Sequence, residues 1–167
     1  MQSMEAESLE TQNVLVRRLR PDDLENVIRI DAKATGRRRE EYFKLKLEMA
    51  MNETGIEVSL AAEIDGMFVG FMIARVYYGD FGVAEPAAVL EVLGAHPDFR
   101  GRGVGHALLH QLATNLLGLG VGKVSTEVNW SDPAMMTFLQ REGFEPAPRI
   151  CLDLDCEAFR RRQEIDI

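Results

Sequence analysis

The chain lacks the residues that several common functions require. It has two cysteines in 167 residues, Cys151 and Cys156, and three histidines. No metal-type Cys/His spacing can be read from them, so no metal is expected and the cysteines should be reduced thiols in a cytoplasmic protein. His106 and His110 share a helix face by their spacing, but no third ligand stands out. Cations are scarce: 19 Lys and Arg against 27 Asp and Glu give a formal net charge of −8. That deficit argues against non-specific nucleic-acid binding, which depends on cationic contacts to phosphates, and is compatible with a cationic amine as partner. No apolar run approaches the ~20 residues that cross a bilayer, so no membrane partner is expected. Residues 1–12 are polar and acidic, unlike a secretory signal, and read as a frayed leader to a single domain over 13–167. Repeats, linkers and low-complexity tracts are also missing.

What is present is an apolar share of 46%, ordinary for a globular domain, on a chain long enough to bury a core. Strand and helix patterns interleave. Residues 13–20 alternate as a first strand, and Pro21-Asp22-Asp23 opens a helix that Gly36 ends. Residues 37–52 read as a second helix. Residues 56–64 and 67–77 form two strands joined by the hairpin signal Asp65-Gly66. After a loop come a buried strand (87–95), a helix (106–117), a strand (123–128), a helix from Pro133 to Arg141, a last strand (150–154) and a short tail helix. This pattern predicts an α/β or α+β fold around a mixed sheet.

The most informative stretch is 89–109. An apolar strand ends at His96-Pro97-Asp98-Phe99. Three alternating glycines (Gly101, Gly103, Gly105) follow and open an apolar helix. The first N–H groups of a helix lack intrahelical partners and its dipole makes that end positive. Glycines clear side chains from the approach, and Arg100 and Arg102 add cations, so the loop is suited to phosphates. It has no Gly-Lys-Ser/Thr of a triphosphate loop, and His106 stands where the dinucleotide fingerprint needs glycine. The alternative is a tight strand-to-helix turn that needs small residues.

The sequence Arg100-Gly101-Arg102-Gly103-Val104-Gly105 resembles the Arg/Gln-x-x-Gly-x-Gly/Ala signature of the GCN5-related N-acetyltransferases (GNAT). Glu127-Val128-Asn129, and the run from Asp132 to Glu142-Gly143-Phe144, are similar to that family's late strand and helix. The likeness covers about residues 13–155 in order. It implies a mostly antiparallel central sheet of six to seven strands flanked by about four helices, with acetyl-CoA as cosubstrate. It implies acetyl transfer to a primary amine on a protein N-terminus, a lysine or a small molecule, by direct attack. Neither cysteine is near the loop in sequence, which fits a route without an acetyl-enzyme. A homodimer is also compatible with such folds.

Carried over position by position, the amides of Gly101, Arg102, Gly103, Val104, Gly105 and His106, beside Arg100, should face the pyrophosphate. Leu93, Gly94 and Ala95 should lie along the pantetheine arm, where the family's strand parts from its neighbour. Gly94 permits a bulge there or, alternatively, a packing bend. Two glutamates are candidate bases. Glu127 matches the base position of members resembling ribosomal-protein N-terminal acetyltransferases; otherwise it is a solvent-facing strand residue. Glu91, inside an apolar run, is costly unless it faces a cleft or is paired; otherwise it is a sheet-face residue paired with an arginine.

Two departures stand out. Leu139 occupies the place of the family's tyrosine acid and cannot donate a proton, leaving Tyr77, Tyr78 or Ser131 as substitutes, an unprotonated thiolate, or low activity. Asp132 replaces the usual asparagine, and Asn129 could supply the lost amide. Arg37-Arg38-Arg39 reads either as a solvated helix start or as a site for an acidic group on the substrate. The rival to an enzyme is a non-catalytic acyl-CoA-binding regulatory module.

Overall fold

The computed structural model describes residues 13–52, 58–79 and 82–165. The chain divides into two compact units, Met1–Asn129 and Trp130–Ile167. The first unit contains strands β1 (Leu15–Arg18), β2 (Leu60–Ile64), β3 (Met67–Tyr77), β4 (Ala87–Ala95) and β5 (Val124–Thr126). Its helices are α1 (Leu24–Thr35), α2 (Glu40–Asn52) and α3 (Val104–Gly118). The second contains α4 (Pro133–Arg141) and α5 (Cys156–Ile165).

The strands form one sheet in the order β1-β2-β3-β4-β5. Each neighbouring pair is antiparallel except β4 and β5, which are parallel and connected through α3. A parallel pair needs such a crossover, whereas β2 and β3 need only two residues. Asp65 and Gly66 make that turn with φ of 50° and 76°, the left-handed backbone whose twist matches a two-residue hairpin. Gly36, at φ 71°, ends α1 by donating its N–H to Ala32 O.

On one face, Val27, Ile28 and Ile30 of α1 and Phe43 and Leu47 of α2 pack on Ala61, Phe71 and Ile73. Phe43 meets Phe71 edge-on at 5.8 Å between ring centres. α3 buries Val104, Leu108, Leu112 and Leu116, one row at four-residue spacing. Gly70 makes its close approach feasible. A Cβ there would lie 2.5 Å from Val104 Cγ1 and 3.5 Å from Leu108 Cδ1. The start of α3 therefore rests directly on the β3 backbone.

The architecture is the mixed, mostly antiparallel sheet that was expected, with five strands among the described residues rather than six to seven, and five helices rather than about four. The difference lies largely at Ile150–Leu154, which has no ladder partner among the described residues and whose side chains are exposed. Alternating apolar residues favour a strand, but only a neighbouring edge makes one. The second helix begins at Glu40 rather than Arg37 because Arg38 and Arg39 fasten the preceding loop to Glu25 and Asp31 of α1.

β1 is tied to the start of α1 by ions. Arg17 donates Nη1 and Nη2 to Asp23 at 2.8 and 2.9 Å and Nε to Glu63 at 2.7 Å. Burial pushes the Asp23 carboxyl up, but hydrogen bonds from the Arg17 side chain and the Arg20 N–H outweigh it, so the pKa is lowered. A carboxyl whose folded pKa is lowered stabilises the fold fully above its unfolded value, ~3.9 for Asp, and loses that contribution as pH falls through the folded value. The urea midpoint should therefore hold steady down to about pH 4 and then fall, less steeply in Asp23→Asn. Arg17→Leu strands the buried carboxylate and should cost about 2–4 kcal/mol at neutral pH.

Candidate functional site

β4 runs further than its partner β5. The two pair at Ala88↔Val124, Val89↔Ser125 and Leu90↔Thr126, and there the ladder stops. Thr126 Oγ1 donates to Leu90 O at 2.9 Å and ties off the last rung. β4 continues through Ala95, held on its other side by β3 at Ile73↔Val92, Met72↔Leu93, Phe71↔Gly94 and Gly70↔Ala95. The His96 N–H donates to Val69 O at 2.7 Å. Counting back from that bond, alternation turns the N–H and C=O of Ala95 and Leu93 away from β3. Among the described residues they meet no strand, so they form an open polar edge.

That edge leads straight to the loop. A short 3-10 turn, Pro97–Phe99, is capped by His96, whose Nδ1 accepts from the Asp98 N–H. The Phe99 ring stands edge-on to His96 at 5.5 Å and carries the Arg102 guanidinium 5.0 Å from its centre. Lys33 of α1 brings its Nζ within 3.0 Å of His96 Nε2. Gly101 and Gly103 take φ of 76° and 77°, which glycine alone adopts at little cost. Gly103 is the N-cap of α3 and has no side chain to cap with. No acidic residue lies in the first turn of α3. The N–H groups of Gly103, Val104 and Gly105 are thus without intrahelical acceptors at the positive end of a 15-residue helix. Arg100 and Arg102 are exposed beside them.

Gly94 does not bulge. A Cβ there would lie 2.6 Å from Phe71 Cε1, so the missing side chain admits the aromatic ring across the rung. The bulge sits three residues earlier. Between Ile73↔Val92 and Ala74↔Leu90, β4 carries one extra residue, Glu91. A bulge re-aims the residue it inserts. Here Glu91 meets two cations: Oε1 accepts from Arg75 Nε at 2.7 Å and Oε2 from Lys46 Nζ at 2.9 Å. Burial pushes its pKa up, but the hydrogen bonds from Lys46 and Arg75 prevail and hold it low.

Two further sequence-derived candidates follow β5. Glu127 is exposed, one residue past the end of β5, beside the point where the ladder opens. Asn129 is exposed two residues further on. Asp132 caps α4, its Oδ1 accepting from the Met135 N–H at 3.0 Å. Leu139 is 3% exposed. The His106 and His110 rings are 6.3 Å apart, and no group of three or more potential metal ligands is gathered among the described residues. No helix there is long and apolar enough to cross a membrane. Lys46 and Arg75 went unnoticed in the sequence, although Arg75 interrupts an apolar strand just as Glu91 does.

Comparison with known proteins supports the likeness seen in the loop. The sequence model of the acetyltransferase (GNAT) family matches residues 23–144. The fold is similar to aminoglycoside N-acetyltransferase AAC(6')-Iy in complex with CoA, at 19% identity and TM-score 0.72, over 86% of this chain and 95% of that one. It is also similar to the ribosomal-protein-alanine N-acetyltransferase of Brucella melitensis biovar Abortus 2308, at 19% identity and TM-score 0.67, over 86% and 99%. A transcriptional regulator from Bacillus halodurans C-125 shares the fold at 18% identity and TM-score 0.70, over 86% and 99%. An uncapped glycine loop, an open strand edge and a family match that spans both make this chain an acetyltransferase of the GNAT family.

Proposed function

We propose that the chain transfers the acetyl group of acetyl-CoA to a primary amine by direct attack, with Glu127 as the base. The observation that carries this reading is the length of β4 beyond its last rung with β5. From Leu90 to Ala95 the open edge spans about 16 Å at the ~3.3 Å rise of a strand. An amide-bearing pantetheine arm can pair with it as an added strand would. The diphosphate then meets the amides of Gly103, Val104 and Gly105 with Arg100 and Arg102 beside them, and the thioester reaches the bulge at Glu91.

Attack requires a neutral amine, because an ammonium has no lone pair. A carboxylate at the mouth of the opening accepts that proton directly or through one water. Glu127 suits the task because it is exposed. Glu91 suits it less, since both its oxygens are engaged by cations that hold its pKa low. A backbone N–H of the open edge can stabilise the tetrahedral oxyanion. Leu139 offers no acid, so the thiolate, with a pKa near the ~8.5 of a thiol, leaves unprotonated or takes its proton from Tyr77 or Tyr78.

The test is coenzyme A release from acetyl-CoA in the presence of a panel of primary amines. Amine-dependent release is the expected result. Binding without release would assign the chain to the regulatory-module class, and no binding would overturn the cosubstrate as well.

A further inference from the structure

Two cations share one carboxylate at the thioester end of β4. Glu91 accepts from both Arg75 and Lys46, so the three side chains carry an excess positive charge. Arg75 bonds to Glu91 through Nε alone, its terminal nitrogens make no hydrogen bond among the described residues, and its side chain is 50% exposed. A guanidinium with both terminal nitrogens available is a fork for a second carboxylate.

The cluster also occupies the side from which an acceptor must come. Gly70 turns toward α3, whose N-terminal turn takes the diphosphate in the reading above. Phe71 and Ile73 turn toward α1 and α2. Alternation puts Arg75 on that second face, and the Lys46–Glu91 pair ties Glu91 to α2 there. A cofactor seated from the α3 side leaves the α1/α2 side for the amine. Alternation along β5 continues the same way. Ser125 lies beside Val89, which is opposite Arg75, so Ser125 shares the face of Arg75, and Glu127 follows two residues further on, just past the strand. One other carboxylate from α1, Asp31, is neutralised by Arg39.

We propose that Arg75 and Lys46 bind a carboxylate of the acceptor, and that the preferred substrate is an amine carrying a carboxylate within a few bonds of its nitrogen. The proposal rests on the acetyl-transfer reading and deepens it. The ammonium approaches Glu127 while the carboxylate meets the Arg75 fork, so the site matches a dipolar acceptor. A polycationic acceptor would set an extra positive charge against two cations. A free amino acid and a peptide that begins with an acidic residue present the same chemistry.

The experiment compares kcat/KM within pairs that differ in one carboxylate: tyrosine against tyramine for the free amino acid, and Asp-Ala against Asn-Ala for the peptide source. An aminoglycoside is the polycationic control. The expected result is a preference of about tenfold or more for the carboxylate-bearing member of one pair, the pair identifying the source. Arg75→Gln should reduce that preference toward parity, and Arg75→Lys should restore part of it, since charge returns without the fork. Lys46→Gln provides the same comparison if Arg75→Gln does not fold, with coenzyme A titration reporting the fold. Equal rates within both pairs, a preference for tyramine or the aminoglycoside, or a preference that survives in both glutamine variants would overturn the proposal. Acetylation without preference sinks this inference alone. Acetylation of no amine sinks it together with the acetyl-transfer reading.

Discussion

Glu127→Gln should lower kcat for amine acetylation by about 10²–10⁴-fold, the usual contribution of a positioned proton acceptor, while coenzyme A affinity changes less than about twofold. Glutamine has nearly the shape of glutamate and cannot take the proton. Glu127 is exposed just past β5, so its replacement removes no buried partner and should leave thermal stability within about 0.5 kcal/mol. Glu91→Gln provides the contrast. It frees Lys46 and Arg75 from their shared counter-ion, so its effect should appear in stability and in KM for the acceptor as well as in kcat. Steady-state kinetics of the two variants on one amine separate the roles. A loss in Glu91→Gln as large as that expected for Glu127→Gln, with Glu127→Gln unaffected, would reverse the assignment.

How far the site could be read in advance depends on how local each feature is. Positive-φ positions are legible because the demand and its answer fall on the same residue. Gly36, Gly66, Gly101 and Gly103 all take the left-handed conformation at predicted turns. The helix after the glycine loop is legible for the same reason, its buried row and its uncapped start both being local. The bulge at Glu91 is not, because register belongs to two strands at once and an extra residue looks like any other in its own strand. Gly94 illustrates the ambiguity: its glycine answers to Phe71 across the rung rather than to its own backbone. Lys46 meets Glu91 from 45 positions away, a pairing no spacing rule reports. Ile150–Leu154 has the alternation of a strand but no edge to pair with among the described residues, which sequence cannot supply.

His106→Glu tests the loop with effects of opposite sign. His106 is the third helical residue of α3, counting from the cap Gly103, and is exposed. A carboxylate there complements the positive end of the helix, and glutamate is a better helix former than histidine. If the turn were merely a tight connection, a gain of about 0.3–1 kcal/mol from the helix end, set against the contacts that the His106 side chain gives up, should be the only change. If the turn holds a diphosphate, the new charge faces two of its own sign across a few ångströms, and coenzyme A affinity should fall about a hundredfold. Thermal unfolding without ligand and calorimetric titration with coenzyme A read the two quantities separately. A stability gain accompanied by that loss of affinity cannot come from damage to the fold, because damage would lower both. Unchanged affinity would mean that the first turn of α3 is not where the anion sits. The open edge of β4 would then have no anchored arm to align, and the assignment of the thioester to the bulge would fall with it.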